Sequence, residues 1–298
     1  MASTQDLKRR LRSIRNTRKI TKAMELVSAA KLRRAQTRIE SMRPYADRMM
    51  ELMIGTARAA SSVRGIPLLQ RRDEIRSVCI VPLTGDRGLA GAFNAQVLRA
   101  AFALERRLRR EGVEVRWVVA GKKGASTLRF RRYQVGQAWT GFSDSPRYAD
   151  AQAIANRVAT MYTEGEVDRV VVVYNAFESA LVQRVVERDV LPIPETLLHE
   201  HEDEDREHQA LSGDFIYEPE PEEILARLLP VYVETEIYRA LLESAASEQG
   251  ARMTAMRNAS KAAGELIDNL TLQMNRARQA EITQEILEVV AGADALTA

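Results

Sequence analysis

The sequence contains one cysteine, few aromatic residues and no long apolar run. Cys79 alone excludes an intramolecular disulfide and a cysteine-only zinc site, and its position in the apolar run 78–81 predicts a small buried side chain. No stretch approaches the ~18 consecutive apolar residues that a membrane-spanning helix needs, and residues 1–6 lack a signal-peptide core. We therefore expect a cytosolic protein, or one attached to a membrane only through partners.

Motifs for catalysis or nucleotide binding are also missing. The P-loop pattern is absent, and the glycines at 85, 88 and 91 have the spacing G-x-x-G-x-x-G instead of that of the dinucleotide fingerprint. The sequence Gly-Lys-Lys-Gly at 121–124 follows a predicted strand, but no hydroxyl comes directly after its lysines. We expect the glycines to form a tight strand-to-helix turn, and we expect no catalytic site and no cofactor.

All the histidines lie in one acidic stretch of the sequence. A metal site is conceivable there, because histidine and carboxylates are metal ligands. The stretch has no apolar scaffold that would hold such ligands in place, so a solvated loop without a metal is the expectation. The three histidines are His199, His201 and His208.

The charge of the chain is strongly segregated, although the formal net charge is only +3. Residues 1–43 contain 13 Lys or Arg and 3 Asp or Glu, a net charge of +10. Residues 195–223 contain 12 Asp or Glu and one Arg, a net charge of −11. The basic block predicts an acidic partner, either nucleic acid or an acidic protein surface.

Both ends of the sequence predict long helices with apolar seams. The first helix is expected over residues 3–58, where Pro44 could bend it, and the last over 219–292, with a bend near Pro230 and an end at Gly292. The predicted seam of the first helix is Leu7, Leu11, Ile14, Ile20, Met24, Val27, Leu32, Ala35, Ile39 and Met42. The predicted seam late in the last helix is Met256, Ala259, Ala263, Leu266, Leu270, Met274 and Ala277.

The middle of the chain alternates between strand and helix patterns. Strands are expected at 76–83, 113–120, 168–174 and 180–188, with helices at 94–111 and 146–164. This alternation is typical of an α/β unit with a largely parallel sheet.

The predicted fold is therefore α/β plus a long coiled coil. An antiparallel pair of terminal helices flanks an inserted, Rossmann-like α/β domain, because neither helix can bury its seam alone. The expected domains are an N-terminal coiled-coil helix at 1–60, the α/β domain at 75–195, an acidic connector at 196–218 and a C-terminal coiled-coil helix at 219–298.

Four segments resemble motifs of the F-type ATP synthase γ subunits, as found in bacteria. They occur in the family's order and together span most of the chain. The segments are Ile14–Val27 (IRNTRKITKAMELV), Asp86–Asn94 (DRGLAGAFN), Ala246–Met256 (ASEQGARMTAM) and Arg276–Ile286 (RARQAEITQEI).

The resemblance implies a mechanical role without catalytic residues. Members of the family place their paired helices inside a hexamer of three α and three β subunits, which carries the nucleotide sites. They also contact the ε subunit and the ring of membrane c subunits, whose rotation they transmit. The implied location is peripheral, on the cytoplasmic side of the bacterial plasma membrane.

The resemblance also implies which residues meet the β subunits. Two positions near the C-terminus match family residues that contact a loop of a β subunit, and the apolar tip that follows sits in a sleeve made by the hexamer. Positions in the basic first helix match a region near an acidic lever of β. The implied contact residues are Lys19, Lys22, Met24, Arg278, Gln279, Ile282 and Ile286.

Two other functions stay open from the residues alone. The basic first helix could bind nucleic acid through its lysines and arginines, although aromatic residues hardly interleave with them. The α/β domain could belong to a nucleotide-dependent enzyme, although its glycine spacing fits no nucleotide motif.

Overall fold

The computed structural model describes residues 4–60, 66–194 and 218–297, and it describes no side chain after Gly292. The three histidines and nearly all of the predicted acidic connector lie outside these residues. Within the described ranges, no helix has an apolar stretch long enough to cross a membrane.

A five-stranded sheet forms the centre of the α/β part, with the strand order β3-β2-β1-β4-β5. The first four strands are parallel, and β5 pairs with β4 in the antiparallel direction. This confirms the predicted α/β fold with a largely parallel sheet. The strands are β1 (Ser77–Pro82), β2 (Glu114–Ala120), β3 (Val135–Trp139), β4 (Arg169–Phe177) and β5 (Gln183–Leu191).

Two apolar cores cover the two faces of the sheet, because successive side chains of a strand point to opposite sides. Cys79 and Val81 of β1 belong to one core, and Val78 and Ile80 belong to the other. Cys79 is fully buried as predicted, and burial raises the pKa of its thiol to about 12. The helices of the α/β part are α2 (Phe93–Arg110), α3 (Lys122–Phe130) and α4 (Tyr148–Thr163).

One helix and one strand, α3 and β3, were not predicted from the sequence. Helix α3 is only nine residues long and includes Gly124, a poor helix former, so its propensity is weak. Strand β3 lies at an edge of the sheet, contains Gly136 and is only partly buried, so no apolar run reveals it.

Two long helices form the ends of the described chain: α1 (Thr4–Ala59) and α5 (Pro221–Thr297). Pro44 and Pro230 lie inside them without interrupting the helix, while the bend at Pro230 stays a prediction. The predicted end at Gly292 is wrong, because α5 continues past it. Glycine lowers helix propensity by only about 1 kcal/mol, so it does not by itself stop a long helix.

The chain divides into two compact units. One unit joins Met1–Ser28 with Arg252–Ala298, and the other is Ala29–Ala251. The helices run antiparallel in the first unit, since Thr4 donates to Glu281 and Arg257 donates to Glu25. They also run antiparallel in the second, where Met49 meets Thr235 and residues 39–47 line a groove with residues 239–243. The predicted antiparallel pairing is therefore confirmed within each unit.

Gly121 is required where β2 passes into α3. Its φ of +96° is unfavourable for other residues, and a Cβ built there would lie 1.9 Å from the carbonyl oxygen of Thr84. That oxygen belongs to the backbone, so it cannot move aside as a side chain would. Close approach of these two segments therefore depends on the absence of a side chain at position 121.

We predict that Gly121→Ala lowers the free energy of unfolding by at least about 4 kcal/mol, because the clash adds to the cost of the positive φ. Urea unfolding of the purified chain, followed by circular dichroism, measures this change. Gly112→Ala is the matched control, since Gly112 also has a positive φ of +80° but nothing within 4 Å of its added Cβ. Gly112→Ala should lower the free energy of unfolding by only about 1–2 kcal/mol. An equal decrease for the two variants would contradict a clash at position 121.

Candidate subunit-contact surfaces

The glycine-rich turn after β1 is organised around the carboxylate of Asp86. This carboxylate accepts hydrogen bonds from the backbone amides of Lys122, Gly141 and Ser143, at 2.9, 2.8 and 3.0 Å. The Asp86 amide in turn donates to the Ser143 hydroxyl at 2.9 Å. One side chain therefore links the end of β1, the start of α3 and the loop after β3.

A helix start beside a glycine-rich turn is a typical phosphate site, but the first amides of α3 already have partners within the protein. Amides at the start of a helix favour an anion, and at α3 the anion is Asp86. The next two amides, of Lys123 and Gly124, donate to the Gly85 carbonyl oxygen and the Thr84 hydroxyl. The geometry supports the interpretation of these glycines as a tight turn.

The turn contacts α5 in the segment that resembles the third family motif. A Cβ on Gly85 would lie 2.8 Å from the carboxylate of Glu248, so the two segments meet closely and a larger residue at 85 would have to displace that side chain. One residue earlier, the Ser247 hydroxyl donates to the carbonyl oxygen of Asn175 in β4. The fold thus brings the second and third motifs together at the carboxyl ends of β1 and β4.

The four predicted contact residues of α5 lie on one face of the helix, which we call the tip surface. At about 100° per residue, Arg278, Gln279, Ile282 and Ile286 fall within about 100° of each other. All four are exposed, including the two isoleucines at 47% and 58%. Glu281, which meets Thr4 of α1, points to a different side of α5.

The apolar part of the tip surface has no described helix beside it. Helix α1 begins at Thr4, whose hydroxyl donates to Glu281 at 3.0 Å. The residues of α5 after Glu281 therefore extend past the described start of α1. The exposed large apolar residues there are Ile282, Ile286, Leu287, Val289 and Val290. An exposed apolar patch of this kind is typical of a protein contact.

The seam predicted for α1 is partly wrong. Ile20 and Val27 were expected to face the partner helix, but they are 60% and 56% exposed. Buried instead are the polar residues Thr21, Glu25 and Ser28. The Glu25 carboxylate is compensated by Lys22 at 3.0 Å and Arg257 at 3.1 Å, and these two hydrogen bonds hold its pKa below its ordinary value.

The seam predicted for α5 is also partly wrong. Leu266 was predicted at the seam but is exposed, whereas its neighbour Ile267 is buried. The other seam positions Met256 and Ala263 are buried as expected.

The structure separates the three predicted contact residues of α1. Lys19 and Lys22 are exposed, and Met24 is half-buried. Lys22 and Met24 lie on opposite borders of the buried face, about 160° apart around the helix. Three apolar residues lie exposed between these borders: Ile20 and Val27, which were predicted to be in the seam, and Leu26, which was not predicted as a contact. We call these three residues the α1 outer face.

A basic groove also runs along the first unit. Its lining carries eight lysines and arginines but only one carboxylate, Glu25, which is already paired. The groove therefore has a positive potential that suits an acidic partner. The cationic residues are Lys8, Arg12, Arg15, Arg18, Lys19, Lys22, Arg257 and Lys261.

The predicted contacts of α1 and α5 form two surfaces and not one. Glu25, next to Met24, meets Arg257. Arg278 lies 21 residues further along α5, a separation of about 30 Å at 1.5 Å per residue. A partner that touches both surfaces has to extend along the helix pair, or two different partner segments are involved.

Comparison with known proteins adds to this geometry. The family described as ATP synthase matches residues 3–296. The ATP synthase gamma chain of Rubrobacter xylanophilus is 47% identical over 302 residues that cover all of both chains. That of Moorella thermoacetica is 46% identical and covers 99% of this chain and 100% of its own.

Solved structures show the same fold. A chain in the central stalk and c-ring structure of the Tetrahymena thermophila mitochondrial ATP synthase has a TM-score of 0.59 and 28% identity, covering 81% of this chain and 99% of its own. A chain in the Euglena gracilis mitochondrial OSCP/F1/c-ring structure has a TM-score of 0.68 and 18% identity, covering 98% of this chain and 94% of its own. On the full-length family match and the relatives above 40% identity, the chain belongs to the ATP synthase gamma chain family.

Proposed function

We propose that the chain, a central-stalk subunit of an ATP synthase rotor, transmits rotation without carrying a catalytic residue. It couples ion-driven rotation of a membrane ring of c subunits to ATP synthesis or hydrolysis. The nucleotide sites belong to a hexamer of α and β subunits, and the ε subunit is a further partner. The observation that carries this proposal is the family match from residue 3 to residue 296.

The similar structures support the proposed partners. The matched chain from Tetrahymena thermophila belongs to a structure titled central stalk and c-ring. The Euglena gracilis chain belongs to one titled OSCP/F1/c-ring in a rotational state. An α/β part joined to a long helix pair, as in these neighbours, suits a subunit that connects two separated partners.

The tip surface and the basic first helix are the proposed contacts with β subunits. In the tip surface, Arg278 can bind a carboxylate through its planar guanidinium, while Ile282 and Ile286 offer apolar area to a surrounding sleeve. On α1, Lys19, Lys22 and Met24 are proposed to face an acidic segment of a β subunit, in keeping with the basic groove. The α1 outer face adds apolar contact area beside these cations.

Rotation can drive catalysis because the shaft is asymmetric. In any one orientation, each β subunit meets a different side of the shaft. Each β subunit then gains different contact energy in its open and closed forms, which shifts its conformational equilibrium. A turn of the shaft therefore changes the nucleotide affinity of each site in sequence.

The proposed location follows from these partners. The chain would lie at the cytoplasmic face of a bacterial plasma membrane, held there by the c ring and not by a span of its own. No observation favours the alternative of a nucleic-acid-binding protein, since the chain belongs to the ATP synthase gamma chain family.

The combined variant Arg278→Ala and Gln279→Ala should slow ATP hydrolysis by the assembled complex about tenfold or more. Hydrogen bonds of charged groups contribute about 1.5–3 kcal/mol, and ~1.4 kcal/mol corresponds to a factor of ten in rate. The measurement is the ATPase rate of purified complex with confirmed subunit stoichiometry. Assembly should survive, because both side chains are exposed on α5.

The control for this variant is Gln273→Ala with Arg276→Ala. These residues are of the same types, are also exposed and lie within two turns of the same helix, but outside the face of the tip surface. The control should leave the rate within about twofold. Equal rates for both double variants would remove Arg278 and Gln279 from the proposed contact.

Assembly should also change the dynamics of the end of α5. Because residues 281–292 are exposed throughout, we expect fast amide hydrogen exchange over 280–292 in the isolated chain and slow exchange in the complex. Residues 224–236, most of them buried within their own unit, serve as the internal reference and should exchange slowly in both states. Similar exchange of 280–292 before and after assembly would contradict the sleeve.

A further inference from the structure

The loop between β3 and α4 contains a carboxylate that contacts both long helices. Asp144 Oδ2 lies 2.6 Å from the Nζ of Lys31 in α1, and Asp144 Oδ1 accepts from the Nε2 of Gln249 in α5 at 2.7 Å. Each oxygen therefore holds a different helix. We call this set of three residues the Asp144 bridge.

The position of the bridge within its unit is distinctive. Lys31 is the third residue from one end of the unit Ala29–Ala251, and Gln249 is the third from the other end. Both helices continue beyond these ends. The bridge thus holds both helices to the α/β part near the ends of their segments in this unit.

The loop that carries Asp144 is itself fixed to the sheet. The Asp86 carboxylate at the end of β1 accepts from the amides of Gly141 and Ser143. Next to Asp144, the Ser145 hydroxyl accepts from Arg38 of α1 at 2.6 Å. A continuous series of hydrogen bonds therefore runs from the central strand, through the loop, to two points on α1 and one on α5.

The bridge differs from the other polar contacts of α5 because its carboxylate contacts both long helices. Glu234 accepts from Tyr148 and Gln152, and Glu236 pairs with Arg188, so these described contacts hold α5 alone. In this unit α5 packs through apolar residues such as Leu225, Leu229 and Val233, and apolar burial is non-directional, so it opposes small rotations weakly. Charge-assisted hydrogen bonds are short and directional. Gln249 is almost fully buried, and its Oε1 has no partner among the described residues. The hydrogen bond from Nε2 to Asp144 is therefore the dominant polar contact of this buried side chain.

We propose that the Asp144 bridge stiffens the connection between the α/β part and both long helices against twisting, and that Asp144 is a positioning residue for the two helices. The proposal rests on the proposed function as a rotary shaft. If the bridge has this role, loss of the carboxylate should make the rotor easier to twist. Catalysis at the nucleotide sites, which lie on other subunits, should not change.

The test is a single-molecule measurement on the assembled complex with the catalytic hexamer fixed to a surface. A probe particle is attached to the α/β part, and its angular fluctuation is recorded while the catalytic sites are stalled with a non-hydrolysable nucleotide. The loop holds α1 at two polar contacts, Lys31 and Arg38, so removal of one should about double the angular variance. This result is expected for Asp144→Ala, while ATPase activity at low load stays within about twofold of the unmodified complex.

Two further variants make the result specific. Lys31→Met removes the α1 contact of the bridge and keeps Asp144, so it should also increase the variance even if Asp144→Ala assembles poorly. Asp189→Ala is the matched control, because Asp189 binds Arg169 at 2.7 Å within the sheet and this ion pair involves neither long helix. It should leave the variance unchanged.

The outcomes separate the two proposals. If the probe on the unmodified complex does not rotate with ATP, the function as a shaft fails. If it rotates but Asp144→Ala and Lys31→Met have the same variance as the unmodified complex, the role of the bridge is refuted. An equal increase for Asp189→Ala would also refute it, because a general loss of stability would then explain the effect.

Discussion

The pairing of α1 with α5 is the contact on which the other features depend. Each helix has a face that it cannot bury alone, and the two come from opposite ends of the chain. Their antiparallel alignment brings Thr4 to Glu281 and Glu25 to Arg257 in one unit, and Met49 to Thr235 in the other. The described residues 66–194, which lie between them in sequence, form the α/β insertion.

The α/β insertion uses architecture that often binds nucleotides, but it places a carboxylate where a phosphate would lie. Asp86 satisfies the first amide of α3 and two amides of the loop after β3. An internal anion of this kind holds the loop independently of any ligand. For a part that transmits torque, this permanent connection has an advantage, since its rigidity does not change with nucleotide concentration.

The surfaces proposed for partners share one physical property, because both combine exposed apolar residues with positive charge. The tip surface pairs Ile282 and Ile286 with Arg278, and the α1 outer face pairs Ile20 and Val27 with the cations of the basic groove. Apolar area contributes affinity and charge contributes orientation and specificity. In a rotating subunit, separate patches of this kind allow contacts to form and break in turn.

Much of this protein is determined by the sequence alone. The apolar periodicity indicated the two long helices, the strand and helix alternation indicated the sheet, and four motifs indicated the family. These features are local or repeat along the chain, so they are visible without coordinates. Short elements with weak propensity, α3 and β3, were not visible, because their stability comes from packing against β2 and not from their own residues.

Only the tertiary structure decided which side of each helix is buried and which residues meet. A helix with apolar residues on several faces has more than one possible seam, and packing against the partner helix determines which face is buried. Here that packing buries Thr21, Glu25 and Ser28 and exposes Ile20 and Val27. The Asp144 bridge could not be predicted either, since each of its residues lies more than a hundred positions from the next in sequence and only folding brings their polar groups within hydrogen-bond distance.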